Sequence, residues 1–504
     1  MWFLYDNVVT MAVFLVGGVF AWLYGGTISS ALLPVMPWLF ALLVEAMFCF
    51  PQRHAGETTY EARERVWSEL KQDPLTWVVV GFLLLLMIPF VNKGLCPICD
   101  YAAIEFGGAR QEPTIPFIPF CVNRMEHLNV VVWFVCALFA MLAVKHSLLK
   151  RGKRMVLEFF CWNGVALAAI GMLQQVTGAT GPLWCEADGN GAYFFSTFGY
   201  PNMGGDYFTT LFGLSIGLWR WKVDVVRRDE DPSGDHGSSS GHSSHTRFWR
   251  KHYMLIPAVI FFFSALMTLS RAAIMLVTLL AVIFFIHTFV CFFARMPRAQ
   301  RVRSSAASLL VLVAIGLCTM VFMPDDLQHE VNTLNTTEVL DRVTGRGQYH
   351  TRVATEVWKD NLFFGCGGWG YKHFCIPKMT PKELRQLQTV GGINVHNDYL
   401  QFLAEHGFVG FGCLVAMVVM LVWPLGKMWR ALMSMIRFTP PKEQPPKPVS
   451  IFVLPAPVFC ILMTALATFI HGFGDCPLRS PAVLTLFFAS LAAMDGFLPH
   501  LKER

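Results

Sequence analysis

Four arginines, Arg271, Arg342, Arg346 and Arg352, and one histidine, His396, are the side chains of this 504-residue sequence whose types and places suggest chemistry. A guanidinium presents a planar fork of N–H donors that matches phosphate oxygens two at a time, and a pyrophosphate leaving group needs its charge neutralised as its bond to a sugar breaks. An imidazole that titrates near neutrality can take the proton from an attacking hydroxyl. Together the set suits transfer from a lipid-linked pyrophosphate. Each member has a plainer reading by itself: an arginine at a membrane edge meets lipid headgroups, and a lone histidine is more often structural. The case rests on the constellation.

Four of the five lie in one polar stretch, Asp341 to Gly410, set between apolar runs. It is rich in aromatic anchors (Trp358, Phe363, Phe364, Trp369, Tyr371, Phe374, Tyr399, Phe402), which a disordered linker normally lacks. It reads as a folded cap over a membrane domain. The fifth, Arg271, sits midway along the 41 residues Tyr253 to Phe293, which contain no other formal charge. One helix of that length would run roughly 60 Å, twice the hydrocarbon thickness, so the chain must turn, and TLSRAA is the place. Ser270 would then cap the returning helix and leave Arg271 at its N-terminus, where free N–H groups favour an anion.

With 54% hydrophobic and 15% charged residues and a mean hydropathy of +0.48, the composition is that of an all-α polytopic membrane protein. About twelve spans are expected, near 8–26, 28–50, 74–92, 127–148, 155–175, 203–221, 253–270, 272–293, 306–323, 407–425, 451–471 and 481–497. Domains follow: 1–323 with nine spans, a mostly helical cap over 324–406, and 407–504 with three more. If the N-terminus is cytoplasmic, segments 51–73, 145–154, 220–251, 295–303, 427–447 and the tail hold 27 of the 40 Lys and Arg residues, as basic loops that resist translocation should. The cap is then extracytoplasmic and both termini are inside. The net charge of +6 follows from this topology and gives no reason to expect nucleic acid.

Between spans the sequence is uneven in interest. The Ser, Gly and His residues between Arg227 and Arg247 mark 222–251 as a flexible cytoplasmic linker, so Asp229 to Asp231 is a poor metal motif there. Cys96-Pro-Ile-Cys99 is a weak redox or metal motif, and the cysteines outside the spans are odd in number with no pairing legible. Asn202, at the entry to the sixth span, could serve a site or cap a helix, and the short turn IHGFGDCPLRSPAV places His471, Asp475 and Arg479 where they could line a cavity beneath the cap.

Several segments together resemble the O-antigen ligase and polymerase superfamily of bacterial envelope proteins: FGYPN at 198–202, TLSRAA at 268–273, TGRG at 344–347 with WKDNLFFGCGGWGY at 358–371, HNDYLQFLAEHGFVG at 396–410 and HGFGDCPLRSPA at 471–482. The resemblance spans roughly 195–480. It implies a metal-independent glycosyltransferase without cofactor at the periplasmic face of the bacterial inner membrane. Its donor is an undecaprenyl-pyrophosphate-linked glycan. Its acceptor is lipid A core for a ligase, the growing glycan for a polymerase, or a protein hydroxyl for an oligosaccharyltransferase. His396 resembles the catalytic base, and Arg271 and Arg346 the pyrophosphate-binding arginines, with Arg342 and Arg352 as alternatives of register. Asn202, Asn397, Asp398, Glu405, His471 and Asp475 are further substrate-binding candidates; Asp398 and Glu405 are the carboxylates nearest in sequence that might orient the imidazole. His350 and Asn361 stand where the family often has an aromatic and a proline. The rival of another class is a transporter of lipid-linked glycans, which would place charges and broken helices at the membrane midplane.

Overall fold

The computed structural model describes residues 7–27, 32–92, 115, 118–185, 194–229, 244–295, 313, 350–384, 394–438 and 454–498. The described residues are helical apart from short connections and one isolated bridge, Phe195 to Phe198. The helices are α1 (Val8–Trp22), α2 (Met36–Cys49), α3 (Thr59–Gln72), α4 (Pro74–Met87), α5 (Arg124–Leu142), α6 (Lys150–Thr177), α7 (Pro201–Asp229), α8 (Ser244–His252), α9 (Leu255–Met267), α10 (Arg271–Arg295), α11 (350–360), α12 (Asp398–Phe438), α13 (Ala456–Gly474) and α14 (Pro481–Ala493). Five, Arg124–Ser147, Lys150–Thr177, Arg271–Phe292, Asp398–Gly426 and Ala456–Gly474, are long and apolar enough to cross a membrane. A sixth is reached if α3 and α4, bent by 72°, are one broken span, and α1, α2 and α14 are shorter apolar helices. The chain is an α-helical membrane protein. The expected span 306–323 lies outside the described residues.

The expected turn at TLSRAA is present, with α9 ending at Met267 and α10 starting at Arg271. One boundary differs from expectation. Helix α7 runs on to Asp229 and α8 resumes at Ser244, so helix enters both ends of the stretch 222–251. Helix α12 starts at Asp398 and is broken at Gly407, the residue where the apolar span was expected to begin.

Helix α7 is central, packed by α13, α9, α10 and α6. Its glycines make the approach possible: a Cβ on Gly213 would lie 2.2 Å from the Thr464 side chain, and one on Gly205 2.4 Å from Ala273. Small residues let membrane helices meet closely where no hydrophobic gradient drives them together. The Gly205 contact brings the first turn of α7 against the first turn of α10.

The segment 362–367 is pinned to the bundle through a break in α12. At Gly407 the backbone takes φ 63°, ψ −171°, a region that is essentially glycine-only. The helical hydrogen bonds lost there are replaced by the segment 362–367. Cys366 N donates to Ala404 O at 3.0 Å, Gly367 N to Glu405 O at 2.8 Å, Phe408 N to Leu362 O at 2.9 Å and Val409 N to Phe363 O at 3.0 Å. Gly365, at φ 68°, lies so close that a Cβ would sit 2.2 Å from the Glu405 carbonyl carbon. The same cap segment docks on α5, where Gly368 N donates to His127 Nδ1 at 3.0 Å and Lys372 and His373 pair with Glu126. Gly407→Ala should therefore lose about 1–3 kcal/mol from backbone strain alone, and more from the 2.3 Å contact with Phe363. Gly412→Ala, where a Cβ meets nothing within 4 Å, should be neutral or slightly stabilising. Thermal unfolding in detergent compares the two.

Candidate functional site

The polar cluster is built around Asp475, the first residue past α13, at the end of the bundle that carries the cap. Burial opposes its charge, but the hydrogen bond and charge of His396, the charge of His471 and the backbone N–H of Cys476 outweigh burial and hold its pKa below the ordinary carboxylate range. Tyr200 Oη donates to both carboxylate oxygens at 2.9 Å. Asn202 Nδ2 donates to Oδ2, and Cys476 N to Oδ1 at 2.7 Å. Burial, followed by the neighbouring Asp475 charge, pushes the Tyr200 phenol upward, so it stays protonated and donates.

Three other elements join this carboxylate. Asn202 Oδ1 accepts from Ser270 Oγ, whose oxygen also accepts from Ala273 N at 3.2 Å and so caps α10 as expected. Arg271 is the next residue, at the first position of that helix. On the other side, His396 Nδ1 stands 3.4 Å from Asp475 Oδ1 and 3.4 Å from Tyr200 Oη. These are long contacts of the kind that tighten when a substrate arrives. The His396 side chain is 41% exposed, against 9% for Asp475, and its backbone is left-handed at φ 53°. An unfavoured backbone at a reactive residue persists only where neighbours over-determine it. Here Asn397 caps α12 through Leu400 N at 3.0 Å and donates to Phe473 O at 3.2 Å, while Asp398 N donates to Asp475 O at 3.2 Å.

The two carboxylates expected to orient the imidazole do other work. Asp398 accepts from Leu478 N at 2.9 Å, and buried Glu405 pairs with Arg479 at 2.7 Å while Gln401 donates to it at 3.2 Å. The Arg479 guanidinium lies 4.3 Å over the Trp369 ring. All of these hold the turn 476–479 against α12 and the cap, so the carboxylate that meets His396 comes from a distant part of the sequence. His471 belongs to a layer beneath: its Nδ1 is 3.1 Å from Asp206 Oδ1, and Thr468 donates to Asp206 at 2.8 Å. Arg352 is taken up on the cap surface by Glu356 and Glu383, each at 2.8 Å. Arg342 and Arg346 lie outside the described residues.

Two contributors to the cluster were missed. Tyr200 was part of a turn-rich motif with nothing to single it out. His350, noted only as a departure from the family, packs its ring edge-on to His396 with centroids 5.8 Å apart. Burial, then the charge of His396, lowers its pKa to about 4. All eleven cysteines among the described residues are free thiols, Cys366, Cys375 and Cys476 being buried.

Fold and cluster together define a helical membrane protein with a histidine–carboxylate pair between the starts of α7 and α12 and the end of α13. Residues 256–415, a segment that carries Ser270, Arg271 and His396, match the family model described as O-Antigen ligase. Tyr200, Asn202 and Asp475 complete the cluster from outside the matched segment. No curated protein matches the chain.

The lowered pKa values set two separate pH windows. Unfolded His350 takes up its proton near pH 6.5, whereas the folded residue resists until about pH 4, so stability falls as pH drops through that interval. The Asp475 contribution is complete above about pH 3.9 and is lost only below it, as the folded carboxyl finally protonates. The melting temperature in detergent should therefore decline between pH 6.5 and pH 4, and His350→Phe should flatten that decline.

Proposed function

We propose that the protein is an O-antigen ligase-type glycosyltransferase. It would move a glycan from undecaprenyl pyrophosphate to an acceptor hydroxyl, lipid A core in the leading reading, at the periplasmic face of the bacterial inner membrane. The observation that carries the proposal is the hydrogen-bonded chain His396, Asp475, Asn202, Ser270. It joins a partly exposed imidazole to the N-terminus of α10, where Arg271 begins the helix. Asp475 accepts a proton-bearing Nδ1 and leaves Nε2 as the base that takes the acceptor hydroxyl's proton. Tyr200 and Asn202 fix the carboxylate that fixes the imidazole. At the other end, Arg271 and the free N–H groups of the first turn of α10 face the departing pyrophosphate, with Arg346 as a second guanidinium. The hydroxyl oxygen forms the new bond to the anomeric carbon as the bond to pyrophosphate breaks, which inverts the configuration there. Pyrophosphate is a good leaving group, so one base and two arginines form a sufficient set without metal.

Transfer from lipid-linked donor by reconstituted protein tests the chemistry. His396→Ala should lose about 10²–10⁴ in turnover at saturating donor, about 3–5 kcal/mol of barrier, with donor affinity nearly unchanged. Near-normal turnover in that variant, or loss of wild-type activity to a chelator, would sink the mechanism. Acceptor identity is read from a deletion strain: lipid-linked long chains left untransferred support the ligase, single repeats a polymerase, and unglycosylated proteins the third reading.

The arginine assignment makes a separate demand. Arg271→Lys keeps the charge and loses the fork, so both donor binding and turnover should fall despite the conservative exchange. Wild-type activity in Arg271→Ala and Arg346→Ala together would reject the pyrophosphate site.

A further inference from the structure

Beside the cluster lies a cavity that the proposed chemistry does not use. Its volume is about 180 Å³, between α5, α12, α13 and α14. None of His396, Tyr200, Asn202, Ser270 or Asp475 lines it. Its polar end is formed by Asp398, Glu405, His406 and Arg479, and the rest is mostly apolar, including Leu414, Val418, Phe487 and Phe488.

The polar end is incompletely satisfied. Arg479 Nη1 and Nη2 both point to Glu405, while its Nε is buried with no hydrogen-bond partner. His406 is 4% exposed and edged by the rings of Phe82, Phe134 and Phe402, with centroids 6.3, 6.2 and 4.5 Å away; among the described residues no hydrogen bond reaches its imidazole. Buried polar groups are rarely left so, because each costs about 1–3 kcal/mol when unpaired. The missing partner is an oxygen that can accept from Arg479 Nε and meet the histidine, on a molecule whose remainder is hydrocarbon.

The length of the cavity narrows the choice. Beyond the break at Gly407 its lining extends along α12 from Phe411 to Val419, eight residues, or about 12 Å at 1.5 Å per residue. That depth is comparable to one leaflet of a hydrocarbon core about 30 Å thick. We propose that the cavity holds one acyl chain of a membrane phospholipid, with an ester or phosphate oxygen of that lipid bound at Arg479 Nε and His406. A lipid so placed completes the hydrogen bonding behind the turn 476–479 and supports, from the far side, the loop that carries Asp475.

Native mass spectrometry of the full chain, purified in mild detergent, should find one phospholipid retained per molecule. Val418→Trp, which fills the hydrocarbon end, and His406→Phe, which keeps the ring and removes its nitrogens, should each lower the lipid-bound fraction at least fivefold. Delipidated wild type should regain thermal stability with vesicles of phosphatidylethanolamine and phosphatidylglycerol, and the His406→Phe variant should regain less. Should Val418→Trp fail to fold, His406→Phe decides. A wild-type protein that carries no lipid, or variants that hold it as well as wild type, would overturn the proposal. So would retention of a polyprenyl lipid in place of a phospholipid, which would make the cavity part of the donor site. Retention is read without turnover, so its failure leaves the proposed chemistry standing.

Discussion

A buried carboxylate must be satisfied or neutralised, and the capped end of this protein is organised by how Asp475 is satisfied. With 9% of its side chain exposed, it collects donors from Tyr200, Asn202 and Cys476 and stands within reach of His396. Those partners belong to the segment before α7, the first turn of α7, the turn after α13 and the start of α12. Removing any one leaves a charge in a low-dielectric site short of a partner, which is the costly half of a buried polar interaction. The cluster therefore behaves as one unit, and its geometry cannot be relaxed at the imidazole without disturbing the contact between α7 and α10.

The second constraint is mechanical. A continuous α12 would leave the cap segment 362–367 without backbone partners and would carry His396 on a rod independent of the cap. The break at Gly407 opens four hydrogen-bonding groups sideways, and the run LFFGCG at 362–367 supplies the complementary four. Glu405, in the turn before the break, is thereby fixed both by its backbone and by Arg479. The glycines in these two motifs act by allowing backbone to touch backbone, and His396, eleven residues before Gly407, inherits the rigidity.

How much of this was legible in the sequence depends on whether the controlling contact was local. The turn at Ser270 and Arg271 was readable because a 41-residue apolar run cannot cross a membrane once, and Ser270 caps α10 as the pattern required. His396 was readable as a candidate through its motif and the aromatic period that follows it. Its partner was not. Proximity along the chain favoured Asp398 and Glu405, whereas Asp475 reaches the imidazole across 79 residues, a pairing that only tertiary packing could reveal. Tyr200 was invisible for the same reason, and Glu405 looked available because its partner Arg479 was equally remote. The boundary at 407 was legible because polarity changes sharply there, and Gly407 breaks α12 at that residue.

The positions of the helix starts give this end a positive field from the backbone alone. Helices α7, α10 and α12 all begin within the network that radiates from Asp475: Asn202 lies in the first turn of α7, Ser270 caps α10, and Asn397 caps α12 beside His396. Each start carries roughly half a positive charge from its unpaired N–H groups. Ser480, at the cap of α14, closes the same region against Gly25 O at 2.7 Å. Asp475 neutralises part of this positive field permanently and is thereby kept ionised, which is the state in which it can hold an imidazole proton. What remains of the field is greatest at α10, where Ser270 occupies the cap and Arg271 adds a full charge. An anion placed there would meet fixed dipoles in a partly dry setting, so its stabilisation would require no reorganisation of the protein at the moment the charge develops.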